Sequence, residues 1–242
     1  MGKAAMTDHA KLSPQIFADK KKFGAVLFDL DGTLVDFQWQ LDKAIPEICA
    51  ILSEAGIDMA CYGDIPTYAA LFNITRDITD QWIFRGAVQN AENLLERLDE
   101  VYDRYDRDAL TRWQPYPDTL PVLKALADAG YRMGIISNCG REAVNGVLDR
   151  FEMKPYIDIV LSRNDITRLK PHPESLQRAL KQMSVPAENI LFVGDSVNDI
   201  SAAEKTGMIP CFLFCGESLI TGKSPPPHVF QITCLSDLMK IM

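Results

Sequence analysis

The chain has 242 residues and a formal net charge of −8, with 47% hydrophobic and 24% charged side chains. That balance is ordinary for a soluble globular protein. The acidic charge argues against non-specific nucleic-acid binding, which needs cations to displace counterions, and no stretch approaches the ~20 apolar residues of a membrane span. Residues 1–22 are polar and Lys-bearing, without a signal-like apolar run, so a flexible N-terminal arm is expected there. Cys49, Cys61, Cys139, Cys211, Cys215 and Cys234 follow no Cys-x-x-Cys spacing. They read as reduced thiols of a cytoplasmic protein.

The first predicted element is Ala25-Val26-Leu27-Phe28, whose length and apolar content suit a buried strand. It runs into Asp29-Leu30-Asp31-Gly32-Thr33. Carboxylates at i and i+2 can face the same side of the chain, and Gly32 permits a sharp turn. Two anions about 4 Å apart repel by ~4 kcal/mol at an effective dielectric of about 20. A bridging cation or a retained proton must therefore hold them together. Alone, an Asp-x-Asp-Gly turn is more often plain surface.

Beyond Asp36 helical periodicity takes over. Leu41, Ile45, Ile48, Leu52 and Ala55 form one stripe, with Gly56 as its terminator. A short helix is expected over about 68–72. A long one is expected over about 79–107, on the stripe Val88, Ala91, Leu95, Leu98, Tyr102 and Tyr105. The block ends in a Pro-rich linker, Trp113-Gln114-Pro115-Tyr116-Pro117-Asp118. Strands and helices then alternate. Asp118 or Thr119 caps a helix to Ala129, residues 131–136 are a strand and 142–150 a helix. A strand over 157–161 and a helix over 173–183 follow, then a strand over 190–193, a helix over 198–206 and a strand over 209–214. A short strand near Val229 and a terminal helix from Leu235 complete the series. Such alternation implies a parallel sheet covered on both faces.

Three further strand ends and loops carry chemistry. Ile190-Leu191-Phe192-Val193 leads into Gly194-Asp195-Ser196-Val197-Asn198-Asp199, Ile135-Ile136 leads into Ser137-Asn138, and Lys170 stands before Pro171. Ligands of open parallel sheets sit beyond the carboxyl ends of strands, so acids, a hydroxyl, an amide and an ammonium would meet at one rim. These blocks, in this order, resemble the haloacid dehalogenase superfamily, whose pattern is Asp-x-Asp-Gly-Thr, a strand-end Ser or Thr, a Lys, and Gly-Asp-x-x-x-Asp. The resemblance runs from about Phe23 to the end. It implies an α/β fold: a Rossmann-like parallel sheet core with helices on both faces (residues 23–36 and 116–242), plus a small all-helical cap over 37–115.

By the same resemblance Asp29 is the nucleophile that forms an aspartyl-phosphate, and Asp31 is the general acid and then base. Mg2+ is held by Asp29, Asp195 and the backbone carbonyl of Asp31, while Asp199 orients a metal-bound water or Lys170, direct ligation by Asp199 being the alternative. Ser137 and Asn138 are expected to donate to the phosphoryl oxygens, and Lys170 to pair with the phosphate and Asp29. Thr33 supplies turn hydrogen bonds and a phosphate contact. Cys139 and His172 are read as incidental neighbours of the rim.

The implied activity is a Mg2+-dependent phosphomonoester hydrolase acting on a small phosphorylated metabolite, similar to the phosphoglycolate phosphatase branch. Lys43, Arg76 and Arg85 are the candidates to hold an anionic leaving group, and neither a nucleic-acid nor a membrane partner is expected. A β-phosphoglucomutase-like isomerase is the alternative enzyme, but residues 36–43 lack the histidine such mutases usually carry there. A phosphonatase has only Lys43 as its Schiff-base lysine, and a dehalogenase lacks the acid at position 31. A non-catalytic regulatory protein on the same fold is the reading from another class. The natural substrate and the oligomeric state are left open.

Overall fold

The computed structural model describes residues 23–64, 66–216 and 225–242. The arm expected over 1–22 lies outside the described residues. Six parallel strands form one sheet in the order β3-β2-β1-β4-β5-β6: β1 (Ala25–Phe28), β2 (Arg132–Ile136), β3 (Ile159–Leu161), β4 (Ile190–Gly194), β5 (Ile209–Leu213) and β6 (Phe230–Ile232). The chain builds outward from β1 to β3, then crosses to β4 on the other side. The order reverses beside β1, which is where an open sheet leaves a crevice. Phe28 pairs with Ile135 of β2 and Val193 of β4, so three strand ends come level there.

β1 is buried at all four positions because both faces are covered, which is why it reads as an unbroken apolar run. Val26 and Phe28 join the cluster containing Leu123 of α4 (Thr119–Asp128) and Val144 of α5 (Arg141–Arg150). Ala25 and Leu27 face Leu176 of α6 (Glu174–Met183) and Ala202 of α7 (Val197–Thr206) on the other side. The expected helix start at α4 holds, but its capping differs. Asp118 makes no side-chain cap bond, and its Oδ2 instead accepts from the Ser236 backbone N–H and hydroxyl, both at 2.8 Å. The terminal helix is a short 3-10 segment, Leu235–Lys240.

Between β1 and α4 stand three helices, α1 (Leu41–Glu54), α2 (Tyr68–Phe84) and α3 (Val88–Arg112). The expected boundaries of the last two need correction. α2 is 17 residues long rather than a short turn, and α3 begins at Val88 rather than near residue 79. Gly86, at φ +86°, makes the break, in the left-handed conformation that ends helices and suits glycine. The buried stripe of α3 runs through Ala91, Leu94, Leu98, Val101 and Tyr102, so Leu94 rather than Leu95 faces inward. These helices share one apolar cluster with the sheet, in which Ile48, Leu98 and Tyr102 sit with Leu34 and Trp113. The two connecting segments lie side by side. Asp36 N–H donates to the Gln114 carbonyl at 2.9 Å, and its Oδ1 accepts from the Gln114 N–H at 2.6 Å.

Candidate active site

The carboxyl ends of β1, β2 and β4 open on a cavity of about 350 Å3. Asp29, Asp31, Ser137, Asn138, Lys170, Asp195 and Asp199 all line it, although they come from distant parts of the chain. Thr33 does not. It is fully buried and its hydroxyl has no hydrogen-bond partner, so the expected side-chain turn bonds are absent and its phosphate contact has no support here.

Lys170 anchors the charged group. It is 2% exposed, and its Nζ donates to Asp29 Oδ1 at 2.6 Å and the Ile136 carbonyl at 2.8 Å, with Asp199 Oδ1 at 2.7 Å. Burial alone would push its ammonium down. The Asp199 and Asp29 carboxylates more than offset that and hold it above the ordinary lysine range. For Asp29 burial is the larger influence: it raises the carboxyl to about 7, against the pull of Lys170 and with a further push from Asp199. Asp31 is also raised well above the usual carboxylate value, by burial first. The Trp113 indole N–H, donating to its Oδ1 at 2.6 Å, opposes the shift, while the Asp29 charge adds to it. A second donor, the Gln38 backbone N–H, reaches the same oxygen at 3.3 Å.

Asp199 sits in the first turn of α7, where it and Ser196 bond each other's backbone in a capping box. Its Oδ2 accepts from the Ser196 N–H at 3.1 Å and hydroxyl at 2.6 Å. With Oδ1 on Lys170, both oxygens are engaged, which suits a residue that fixes the lysine. Asn138 does more than expected. Its Oδ1 accepts from the Lys170 N–H at 3.1 Å and its Nδ2 donates to the Lys170 carbonyl at 3.4 Å. The amide therefore clasps the lysine loop with one N–H, and its second N–H remains for another acceptor. The Ser137 hydroxyl accepts from the Cys139 N–H at 3.1 Å, which leaves its proton available.

The donor set fits a hard divalent cation. Asp29, Asp195 and Asp199 each offer a carboxylate oxygen, all within 4.8 Å of one another, and oxygen donors of this kind suit Mg2+. Gly32 is built for the approach. At φ +88° it adopts a conformation side chains rarely take, and a Cβ there would strike the Asp195 carboxylate.

Several residues at this end of the sheet escaped the sequence reading. Asp106 of α3, 2% exposed, accepts from Trp39 Nε1 at 2.8 Å, Gly140 N at 2.7 Å and Arg163 Nη1 at 2.6 Å. Arg163, 3% exposed, also bonds Asp103 and the Tyr68 hydroxyl, and that hydroxyl donates to the Asn138 carbonyl at 3.0 Å. A buried ion pair thus ties α3 to the loop after β2. The cations proposed for a leaving group do not reach the cavity. Lys43 and Arg85 are exposed, and Arg76 lies over the Phe72 ring with Asp99 at 3.6 Å.

Comparison with known proteins places these features in a family. A family model described as haloacid dehalogenase-like hydrolase matches residues 23–207. The chain is 31% identical over 192 residues to a phosphoglycolate phosphatase of Photorhabdus laumondii, covering 79% of this chain and 80% of that one. It is 27% identical over 227 residues to the pyrophosphatase PpaX of Bacillus cereus, covering 91% and 97%. The fold is also that of a solved HAD phosphatase from Thermococcus onnurineus, at a TM-score of 0.55 and 23% identity over 90% of this chain and 96% of the other.

Proposed function

The chain belongs to the haloacid dehalogenase-like hydrolases, and on that footing we propose that it is a Mg2+-dependent phosphatase of small phosphomonoesters working through an aspartyl-phosphate on Asp29. The observation that carries the reading is the gathering of Asp29, Asp31, Asp195 and Lys170 around one cavity at the carboxyl edge of the sheet. The phosphatase names of relatives near 30% identity support it. Bound by Asp29, Asp195 and the Asp31 carbonyl, Mg2+ supplies charge neutralisation that lets an anionic carboxylate meet a phosphate dianion.

Asp29 attacks phosphorus in line, splitting the transfer into two easier steps. Asp31, its proton retained by burial, protonates the departing alcohol oxygen and then takes a proton from the water that hydrolyses the acyl-phosphate. The Ser137 hydroxyl and the second N–H of the Asn138 amide donate to non-bridging oxygens. The Lys170 ammonium, held by Asp29, Asp199 and the Ile136 carbonyl, lends its charge beside them and meets the phosphate by exchanging one of those partners. In this reading residues 37–115 are a cap over a core of 23–36 and 116–242, and the paired segments at Asp36 and Gln114 are its hinges. Release of inorganic phosphate from a panel of phosphomonoesters in Mg2+ tests the proposal. Turnover abolished by EDTA and restored by added Mg2+ is expected; undiminished turnover in EDTA would remove the metal from the mechanism.

The acid role of Asp31 has its own test. A hydrogen bond to a carboxylate favours the charged form, so Trp113→Phe should let Asp31 keep its proton to higher pH. Because kcat/KM covers the steps through departure of the alcohol, its alkaline limb reports that proton. The limb is expected to move upward in Trp113→Phe. A limb that stays in place, or moves down, would assign it to another group.

A further inference from the structure

Resting on the phosphatase reading, we infer that the leaving group is an uncharged apolar alcohol, aromatic or branched aliphatic, and not a carboxylate or a second phosphate. The cavity has two unlike sets of lining residues. The acids, Ser137 and Lys170, at the strand ends and the lysine loop, form one; the other is an apolar wall of Phe37, Trp39, Leu41, Ile45, Pro66 and Ala69. Among the described residues lining the cavity Lys170 is the sole cation, and Asp29 and Asp199 already occupy it.

The polar groups on the apolar wall are mostly engaged within the protein, the Thr67 O–H proton being the exception. Trp39 Nε1 donates to Asp106, the Tyr68 hydroxyl donates to the Asn138 carbonyl, and the Thr67 hydroxyl accepts from Ala70 N at 3.2 Å to cap α2. Among the described lining residues an anionic leaving group would lose its water there and find no free cation, with a neutral hydroxyl as its donor on that wall, which is costly for a buried charge. An apolar body gains from the same burial. The Trp39 and Tyr68 rings, with centroids 4.6 Å apart and planes at 66°, give that wall an aromatic edge-to-face character suited to a ring. A volume of about 350 Å3 lies at the lower end of the ~300–1,000 Å3 of small-molecule sites. It holds a phosphate with a one-ring alcohol, far more than a glycolyl group needs. The reaction balances as ester plus water giving alcohol plus inorganic phosphate: the phosphorus–oxygen ester bond breaks, its electron pair leaves on the alcohol oxygen, and Asp31 supplies that oxygen's proton.

The test compares benzyl phosphate, butyl phosphate, phosphoglycolate and pyrophosphate with the full chain in Mg2+. The three esters are all alkyl phosphates, so differences among them report recognition. We expect kcat/KM for benzyl phosphate to exceed that for phosphoglycolate by at least about tenfold. Ile45→Lys, which brings a cation to the wall, should narrow or reverse that ratio. Binding is measured separately by calorimetry with two non-hydrolysable phosphonates, phenethylphosphonate and phosphonopropionate, the first expected to bind at least about tenfold more tightly. Phosphoglycolate or pyrophosphate turned over as well as benzyl phosphate, or phosphonopropionate bound as tightly, overturns the inference while leaving the phosphatase reading intact. No turnover of any ester overturns the phosphatase reading instead, and the phosphonate pair then still decides the preference of the wall.

Discussion

Asp29→Asn is expected to lower phosphate release by on the order of 10^4-fold or more, the scale on which loss of a nucleophile acts. An amide of the same shape cannot attack phosphorus and cannot bring a charge to the cation. The variant should nevertheless fold, because Lys170 keeps Asp199 at 2.7 Å and the Ile136 carbonyl at 2.8 Å. The sign of the stability change follows from the ionisation. Burial raises the Asp29 carboxyl from 3.8 to about 7, so the folded state holds a proton that the unfolded chain releases earlier. Stability from that group is complete below the unfolded value and is lost as pH rises through the folded one. In metal-free buffer at pH 8 the Asn variant should therefore melt no lower than the parent protein, while its turnover with Mg2+ is gone. Substantial turnover in Asp29→Asn, with a normal melting profile, would falsify the nucleophile assignment.

The parts of this site legible in the sequence are those tied to the sheet. β1 and β4 are buried on both faces, so they stand out as apolar runs, and the acids follow directly at their ends. Gly32 marks a turn whose need for glycine is visible in the backbone at φ +88°. Lys170 is different. It stands in a loop with no local pattern, and only the resemblance to the haloacid dehalogenase superfamily linked it to Asp29, 141 positions away.

The helical insertion was harder to read because its inward faces are partly polar. Thr75 and Thr79 are buried in α2 and return their hydroxyls to the helix, Thr75 to the Leu71 carbonyl at 2.6 Å and Thr79 to the Thr75 carbonyl at 3.0 Å. A hydrophobic stripe skips such positions, so the sequence pattern marks only the first turns of α2. The expectation of cap cations failed for a related reason. A charge on a helix shows in the sequence, but whether its face turns to the cavity, to solvent or to a neighbouring ring is settled only by packing. Trp113 stands in the segment read as a linker, where a large indole is itself a sign that something must bury it.

Arg163→Met is expected to destabilise the protein by about 3–5 kcal/mol, the scale on which breaking one partner of a buried ion pair acts. Arg163 and Asp106 are 3% and 2% exposed and meet at 2.6 Å across 57 positions of sequence. Without the guanidinium, Asp106 keeps hydrogen bonds from Trp39 and Gly140 but remains a charge with little water and no cation. The cost comes from the abandoned carboxylate more than from the lost attraction. Asp106→Asn in the same chain should then recover at least about half of the loss, since the amide oxygen still accepts from Trp39 or Gly140 and no charge is buried. Equilibrium denaturation of the parent, both single variants and the double variant separates these contributions. The same network holds the backbone of Asn138 and Gly140 beside Ser137, so the double variant, although restabilised, should turn over substrate more slowly through a higher KM. A loss below about 1 kcal/mol in Arg163→Met would put the pair on the scale of an exposed salt bridge, and the joint between α3 and the β2 loop would have to rest on its apolar contacts alone.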